Sequence, residues 1–325
     1  MINYIGVDRG RPCGSSDLLH IAYESNEVWQ SERIANEVAE IHQWGLSLSE
    51  NTHVIFEYTG TYSHRLAYIL ALVQRPFSII SPAQSKGFAA SLKNKAKTDS
   101  QDAKMLAIYG AKMNPEPTPI SDQELHQKRQ VYKHYNDLRS QKQALNNQLH
   151  ALSFDPRAAQ NVIGSLELLK QTFQSQIDEF EKQLFDLNEE DFKAIKDKLM
   201  QIKGIGEKVA TGLIIETNGF KNFESAKAVA AFLGLCPANK QSGTSVYAKG
   251  RLLPTACHHL RTNLYAAAWS ASRFNLDCKE LYTRLRAKGK SAKLAMIAVA
   301  HKLVRQAFAI VKNGTDFDNN FQLAK

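Results

Sequence analysis

At 325 residues the chain exceeds the size usual for one hydrophobic core, so two domains and a connector are expected. Its 43% apolar and 22% charged residues match globular averages and exclude a chain disordered throughout. The net charge of +9 is uneven: Ala238 to Lys312 holds fourteen Lys or Arg against Asp277 and Glu280, so this stretch carries +12 and the remainder −3. A cationic surface on the C-terminal part favours a polyanionic partner, since each phosphate neutralised by Lys or Arg releases condensed counterions.

Met1 to Asp8 reads as a strand, with no charged segment leading into an apolar stretch, so a secreted protein is not expected. Apolar runs such as Ala67 to Val73 and Leu294 to Ala300 fall short of the ~20 residues that cross a bilayer, and a cytoplasmic protein without a membrane span is expected. Cys13, Cys236, Cys257 and Cys278 are scattered without the spacing of a zinc site and read as free thiols. His258 and His259 are adjacent, so they diverge around a helix and receive no metal role.

In chain order, Ile2 to Asp8, Asp17 to Tyr23 and Glu27 to Ile34 predict three antiparallel strands. Asn36 to Gly45 has helical spacing, His53 to Tyr58 is a fourth strand, Tyr62 to Gln74 a helix and Phe77 to Ser81 a short buried strand. Pro82 opens a further helix, and Asp99 to Met113 is the last of this part. That order forms a mixed sheet covered by helices and matches the ribonuclease-H-like arrangement.

Ser121 to Leu187 is polar and long-helical, broken at Asp155-Pro156. Phe173, Ile177, Phe180, Leu184 and Leu187 step by four and three, and Leu138, Leu145 and Leu152 form a thinner stripe, predicting an antiparallel helical hairpin able to pair protomers. From about Leu199 a helical domain follows, with its strongest helices over Thr255 to Ser272 and Ala292 to Lys312. The expected architecture is α/β plus all-α: a ribonuclease-H-like, Holliday-junction-resolvase-like domain over 1–120, a helical coiled-coil arm over 121–190, and a C-terminal helical domain over 191–325.

Four acids stand out. Asp8 ends the first strand, Glu57 lies near the end of the fourth, and Asp99 and Asp102 share one face in the first turn of the last helix of the sheet domain. In the ribonuclease-H-like layout the first and fourth strands are neighbours, so the four are expected to converge. Converging carboxylates repel unless a hard cation lies between them, and oxygen donors suit Mg²⁺ or Mn²⁺. Taken singly, each acid reads better as a turn or helix-cap residue; the joint placement reverses that preference and points to metal-assisted phosphoryl chemistry.

Tyr4-Ile5-Gly6-Val7-Asp8, Phe56-Glu57-Tyr58-Thr59-Gly60-Thr61-Tyr62, Lys97-Thr98-Asp99-Ser100-Gln101-Asp102-Ala103, Gly204-Ile205-Gly206, Phe232-Leu233-Gly234-Leu235-Cys236-Pro237 and Ser242-Gly243 resemble, in this order, the transposases of the insertion-sequence family that also contains the pilin-gene invertase. Arg9-Gly10-Arg11-Pro12 departs from that pattern. The resemblance implies a DEDD-type domain with Asp8, Glu57, Asp99 and Asp102 as catalytic metal-binding acids, and a C-terminal transposase domain in which Ser242 attacks DNA. It also implies donor and target DNA as substrates, a structured noncoding RNA as guide, and a dimer or tetramer. On the residues alone Ser242 is more often a turn residue, with Thr244 and Ser245 as rival nucleophiles. A junction-resolving nuclease using only the acids and water, and a non-catalytic nucleic-acid-binding protein, also remain open.

Gly204-Ile205-Gly206, flanked by Lys203 and Lys208, reads either as a phosphate-binding helix-hairpin-helix turn or as a simple cap. Lys249 and Arg251 stand near the serine, and Arg284, Arg286, Lys288, Lys290 and Lys293 form a run suited to tracking a nucleic-acid backbone without reading its sequence.

Overall fold

The computed structural model describes residues 2–10, 17–92, 98–119, 122–185, 190–238, 241–242, 246–247, 251–252 and 257–319, the side chains from 237 to 251 excepted. The chain divides into two compact units, Met1–Ser121 and Asp122–Lys325, so the helical arm shares a unit with the C-terminal helices.

The first unit is built on a five-stranded sheet of order β3-β2-β1-β4-β5. β1 (Asn3–Arg9) pairs antiparallel with β2 (Leu18–Ser25), which pairs antiparallel with β3 (Val28–Ala35). β4 (Thr52–Glu57) lies parallel to β1, and β5 (Phe77–Ile80) parallel to β4. Strand alternation sends Ile5, Val7, Val54 and Phe56 to one face, against Ile41 and Trp44 of α1 (Val38–Ser47) and Leu66, Ile69 and Leu70 of α2 (Tyr62–Leu72). The other face packs Ile55 and Ile80 against Met105, Leu106 and Tyr109 of α4 (Asp99–Met113). α3 (Pro82–Ser91) begins with a capping box between Ser81 and Gln84.

Gly6 sets how closely α4 approaches the sheet. A Cβ there would lie 1.9 Å from the Ala103 carbonyl oxygen and 2.5 Å from the Ala107 nitrogen, so the helix backbone rests directly on β1. Ala103 and Ala107 keep the helix side of this contact equally small.

In the second unit α5 (Gln123–Leu152) and α6 (Gln160–Phe185) form the hairpin. Tyr135 meets Glu181 and Lys142 meets Gln174, partners that move in opposite directions along the two helices. Tyr132, Tyr135, Leu138, Ile177 and Leu184 are buried at the stem, with Phe173 and Phe180 packed against them. Leu187 lies outside the described residues.

A larger core gathers α7 (Glu190–Gln201), α8 (Glu207–Thr217), α9 (Ala226–Phe232), α10 (His258–Phe274), α11 (Leu276–Ala287) and α12 (Ala292–Asn313). α12 is long and apolar enough to cross a membrane by length and composition, a test that the shorter apolar runs of the sequence did not meet. Its Ala295, Met296, Val299, Ala300, Leu303, Val304, Ala307 and Ile310 are the buried stripe of this core.

Candidate active site

The four acids lie in the first unit, and the elements that carry them determine their placement. Gly6 faces α4, so Asp8, two residues along β1, projects from the same face. Ile55 packs on α4, so Glu57, two residues along β4, does likewise. Val7 pairs with Phe56, which brings the ends of the two strands side by side.

On α4, Asp99 and Asp102 lie one turn before Ala103 and Leu106, extending the buried stripe beyond the sheet edge. Thr98 caps this helix by accepting from the Gln101 N–H at 3.3 Å, and the helix dipole favours both acids in the first turn. All four carboxylates thus share one face and one end of the sheet. Among the described residues, no three His, Cys, Asp or Glu side chains are gathered closely enough to hold a metal ion. The donor set suits a hard cation in kind, because every member offers carboxylate oxygen.

His20 also belongs to this end of the sheet, although the sequence reading passed over it. It pairs across the strands with Asp8, and its Nε2 lies 3.6 Å from Oδ2 of Asp99. The ring is buried and its Nδ1 has no hydrogen-bond partner. Burial lowers its pKa; Asp99 opposes that shift and Arg33 reinforces it. The signal in the sequence is one polar residue inside the apolar run Leu18-Leu19-His20-Ile21-Ala22, at a register position that only strand pairing reveals.

Gly10 has a similar role in spacing. A Cβ there would stand 2.6 Å from Oδ2 of Asp99, so a side chain at this position would push that carboxylate from its place. Arg9 departs from the family pattern and closes the first hairpin through Asp17, with Nε to Oδ1 at 2.8 Å. Burial raises the Asp17 pKa, but hydrogen bonds from Arg9 and Asn36 outweigh it and the net shift is downward. The Arg9 guanidinium also lies 3.8 Å from the centroid of the exposed Tyr62 ring, and Tyr58 is exposed beside Glu57.

In the second unit, β6 (Pro237–Ala238) pairs with β9 (Arg251–Leu252), and β7 (Gln241–Ser242) pairs with β8 (Val246–Tyr247). Ser242 is opposite Val246 on the backbone of a small hairpin; Thr244, Ser245 and Lys249 lie outside the described residues, as do the side chains of Ser242 and Arg251. Gly204 has a φ of +110°, and a Cβ there would lie 2.6 Å from Cβ of Ala271, so close packing on α10 requires this glycine. Gly206 caps α8, whose first turn already holds Glu207, paired with Lys196 at 2.5 Å. Lys203 is exposed, whereas Lys208 is paired with Glu181 at 2.8 Å. Arg284, Arg286, Lys288, Lys290 and Lys293 are all exposed around the turn from α11 to α12, where Arg286 donates to the Lys290 carbonyl at 2.6 Å.

Two family models match the chain: a transposase model of the DEDD, IS110 type over residues 14–152, and the model "Transposase IS116/IS110/IS902 family" over residues 196–283. The first covers Glu57, Asp99 and Asp102 and begins after Asp8; the second covers the Gly204 turn and Ser242. The chain is 29% identical to a pilin gene-inverting protein of Moraxella bovis over 97% of both chains. It is 28% identical to one of Moraxella lacunata over the same shares. An insertion element IS110 protein of Streptomyces coelicolor is 26% identical over 37% of this chain and 30% of its own. Among solved structures, Thermus thermophilus RuvC in complex with a Holliday junction substrate matches 36% of this chain and all of its own, at 16% identity and a TM-score of 0.27. With IS110-family transposase models matching in both units and two pilin gene-inverting proteins aligned over nearly their whole length, the chain is similar along its length to the transposases of that family.

Proposed function

We propose that this protein is an RNA-guided DNA recombinase that breaks and rejoins strands through a phosphoserine link. In this reading the first unit is a ribonuclease-H-like domain, a description supported by its strand order and its antiparallel β1–β3 meander. The observation that carries the proposal is the common face and common sheet end of Asp8, Glu57 and the first turn of α4. Asp8, Glu57, Asp99 and Asp102 would hold Mg²⁺, which when bound would stabilise charge on the reacting phosphate oxygens. His20, whose neutral form burial favours, stands beside Asp99 with Nε2 3.6 Å from Oδ2 and limits the space that carboxylate can take.

Ser242 Oγ attacks a DNA phosphorus: a phosphoserine ester forms, the bond to one deoxyribose oxygen breaks, and that oxygen leaves as a hydroxyl. Attack by a deoxyribose hydroxyl of the second DNA reverses the exchange and restores Ser242. Because one ester replaces another, bond energy is retained for rejoining. The exposed cations from Arg284 to Lys293 track phosphates, a structured noncoding RNA pairs with donor and target, and the protein works as a cytoplasmic homo-oligomer.

The test uses a cognate DNA substrate with the element's RNA and Mg²⁺. Asp99→Asn and Asp102→Asn are expected to lower strand cleavage by at least about a hundredfold, the scale of losing charge stabilisation at a reacting phosphate. Ser242→Ala is expected to abolish the protein–DNA adduct seen on a denaturing gel. Full cleavage by both acid variants would remove the metal role, and an adduct that persists in Ser242→Ala would remove the serine.

A further inference from the structure

The second unit contains a polar cleft that neither the acids nor the serine uses. It has a volume of about 540 Å³ and lies where α5 and α6 meet α8 and the start of α10. Arg139, Lys142, Lys208, His258, His259 and Asn263 line it. His258 and His259, which receive no metal role from their spacing, therefore face a cavity.

Glu181, which lines the cleft, and the neighbouring Asp137 and Asp178 are all engaged. Glu181 holds Lys208 at 2.8 Å and accepts from the Tyr135 hydroxyl at 3.2 Å. Asp137 faces His259, with Oδ1 3.2 Å from Nε2. Asp178 accepts from the Gln174 amide at 2.5 Å, and the carbonyl of that amide accepts from Lys142. Among the described residues no carboxylate pairs with Arg139, whose guanidinium lies 5.5 Å from the centroid of the Tyr135 ring, or with Lys142. Among the residues that line the cleft, Arg139, Lys142 and Lys208 outnumber the one acid, Glu181, so the lining itself carries net positive charge.

The start of α10 adds to this. His258 and His259 are its first two residues, and Cys257 before them provides no side-chain cap, so the positive end of a 17-residue helix opens on the cleft. The two imidazoles lie tilted at 40° to each other with centroids 3.7 Å apart, and His258 is exposed. Cations, a helix N-terminus, side-chain amides and an exposed ring are the features by which proteins hold a single strand: phosphate on charge and N–H, base on ring and amide.

We infer that this cleft binds one phosphodiester segment of a single nucleic-acid strand, with phosphate between Arg139, Lys142 and the start of α10 and a base against His258. The inference rests on the proposed function only in taking nucleic acid as the polyanion. Its volume lies within the ~300–1,000 Å³ of small-ligand clefts and suits nucleotides from a splayed strand, not a duplex.

Anisotropy of labelled oligouridylate, oligothymidylate and a DNA duplex on the full chain tests it. Arg139→Gln combined with Lys142→Gln is expected to weaken single-strand binding about tenfold or more and to lower the salt slope by about one to two, with duplex affinity unchanged. Lys288→Gln combined with Lys290→Gln is the comparison, and is expected to weaken duplex and single strand alike. A preference between the two oligonucleotides identifies the strand as RNA or DNA, and either supports the cleft. Crosslinking of wild type with 4-thiouridine is expected to label the start of α10, a readout that needs no variant to fold. Unchanged single-strand affinity in the double variant, or crosslinks confined to other elements, overturns the inference. If wild type recombines DNA while the double variant binds normally, only the cleft fails; if the cleft binds strands but no recombination occurs, only the proposed function fails.

Discussion

Gly6 and Gly10 show how a residue with no side chain shapes a site it does not line. Gly6 lets α4 rest on β1, and Gly10 leaves the Asp99 carboxylate its place. In Gly6→Ala the new Cβ would meet backbone atoms of Ala103 and Ala107, and backbone cannot rotate away as a side chain does. We expect a loss of about 1–3 kcal/mol, the usual cost of overpacking, and a larger fractional loss of cleavage because α4 carries Asp99 and Asp102. Gly87→Ala is the contrasting case. That glycine is exposed within α3 with nothing within 4 Å of a new Cβ, so we expect stability unchanged or raised by up to about 1 kcal/mol. Denaturant unfolding of both variants checks the pair, and a Gly6→Ala protein as stable as wild type would show that α4 can shift without cost.

At the scale of elements, the sheet domain was legible because two signals agree along it. Short apolar runs mark most of β1 to β5 and turn residues mark their ends, and Asp99 to Met113 reads as α4 with the bounds it has. His20 was not legible, because its neighbours in space come from strand register and from a helix far along the chain. α11 was missed for a different reason: between Leu276 and Ala287 only Cys278 is buried, so no apolar stripe announces the helix. The cleft was hidden because its lining comes from four helices whose polar residues look like solvated surface. The hairpin was foreseen from its seam, but the seam says nothing of the outer side. There, towards the tip, Phe154, Val162, Leu168 and Leu169 are exposed, Leu168 by 65%. If this apolar edge pairs protomers, Leu168→Glu places charge in the interface while leaving the fold untouched. We expect a lower mass by light scattering at equal concentration and an unfolding free energy within about 0.5 kcal/mol of wild type. Unchanged mass would assign association to another surface.

For the whole molecule, the acids belong to one compact unit and Ser242 to the other. The arm between them in sequence opens with α5, whose 30 residues reach about 45 Å at 1.5 Å per residue, enough to engage a second protomer. On the proposed mechanism Ser242 Oγ must come within about 3–3.5 Å of a phosphorus held at the acids, so the serine would be brought to the acids of its own chain or of its partner. The second arrangement makes cleavage depend on assembly, holding the nucleophile away from phosphate until protomers and DNA have come together. Mixing Asp99→Asn with Ser242→Ala separates the two. If each site is built within one chain, every site in the mixture lacks either an acid or the serine, and no cleavage returns. If each site is shared across a two-fold dimer, half the dimers in an equal mixture are mixed, and one of their two sites joins an intact serine to an intact acid set. We expect about a quarter of wild-type cleavage on cognate DNA with its RNA, the fraction set by random pairing in a two-fold dimer. The mixture must first be shown to exchange subunits, for example by co-purification of differently tagged chains. No recovery in a mixture that exchanges would assign the site to a single chain.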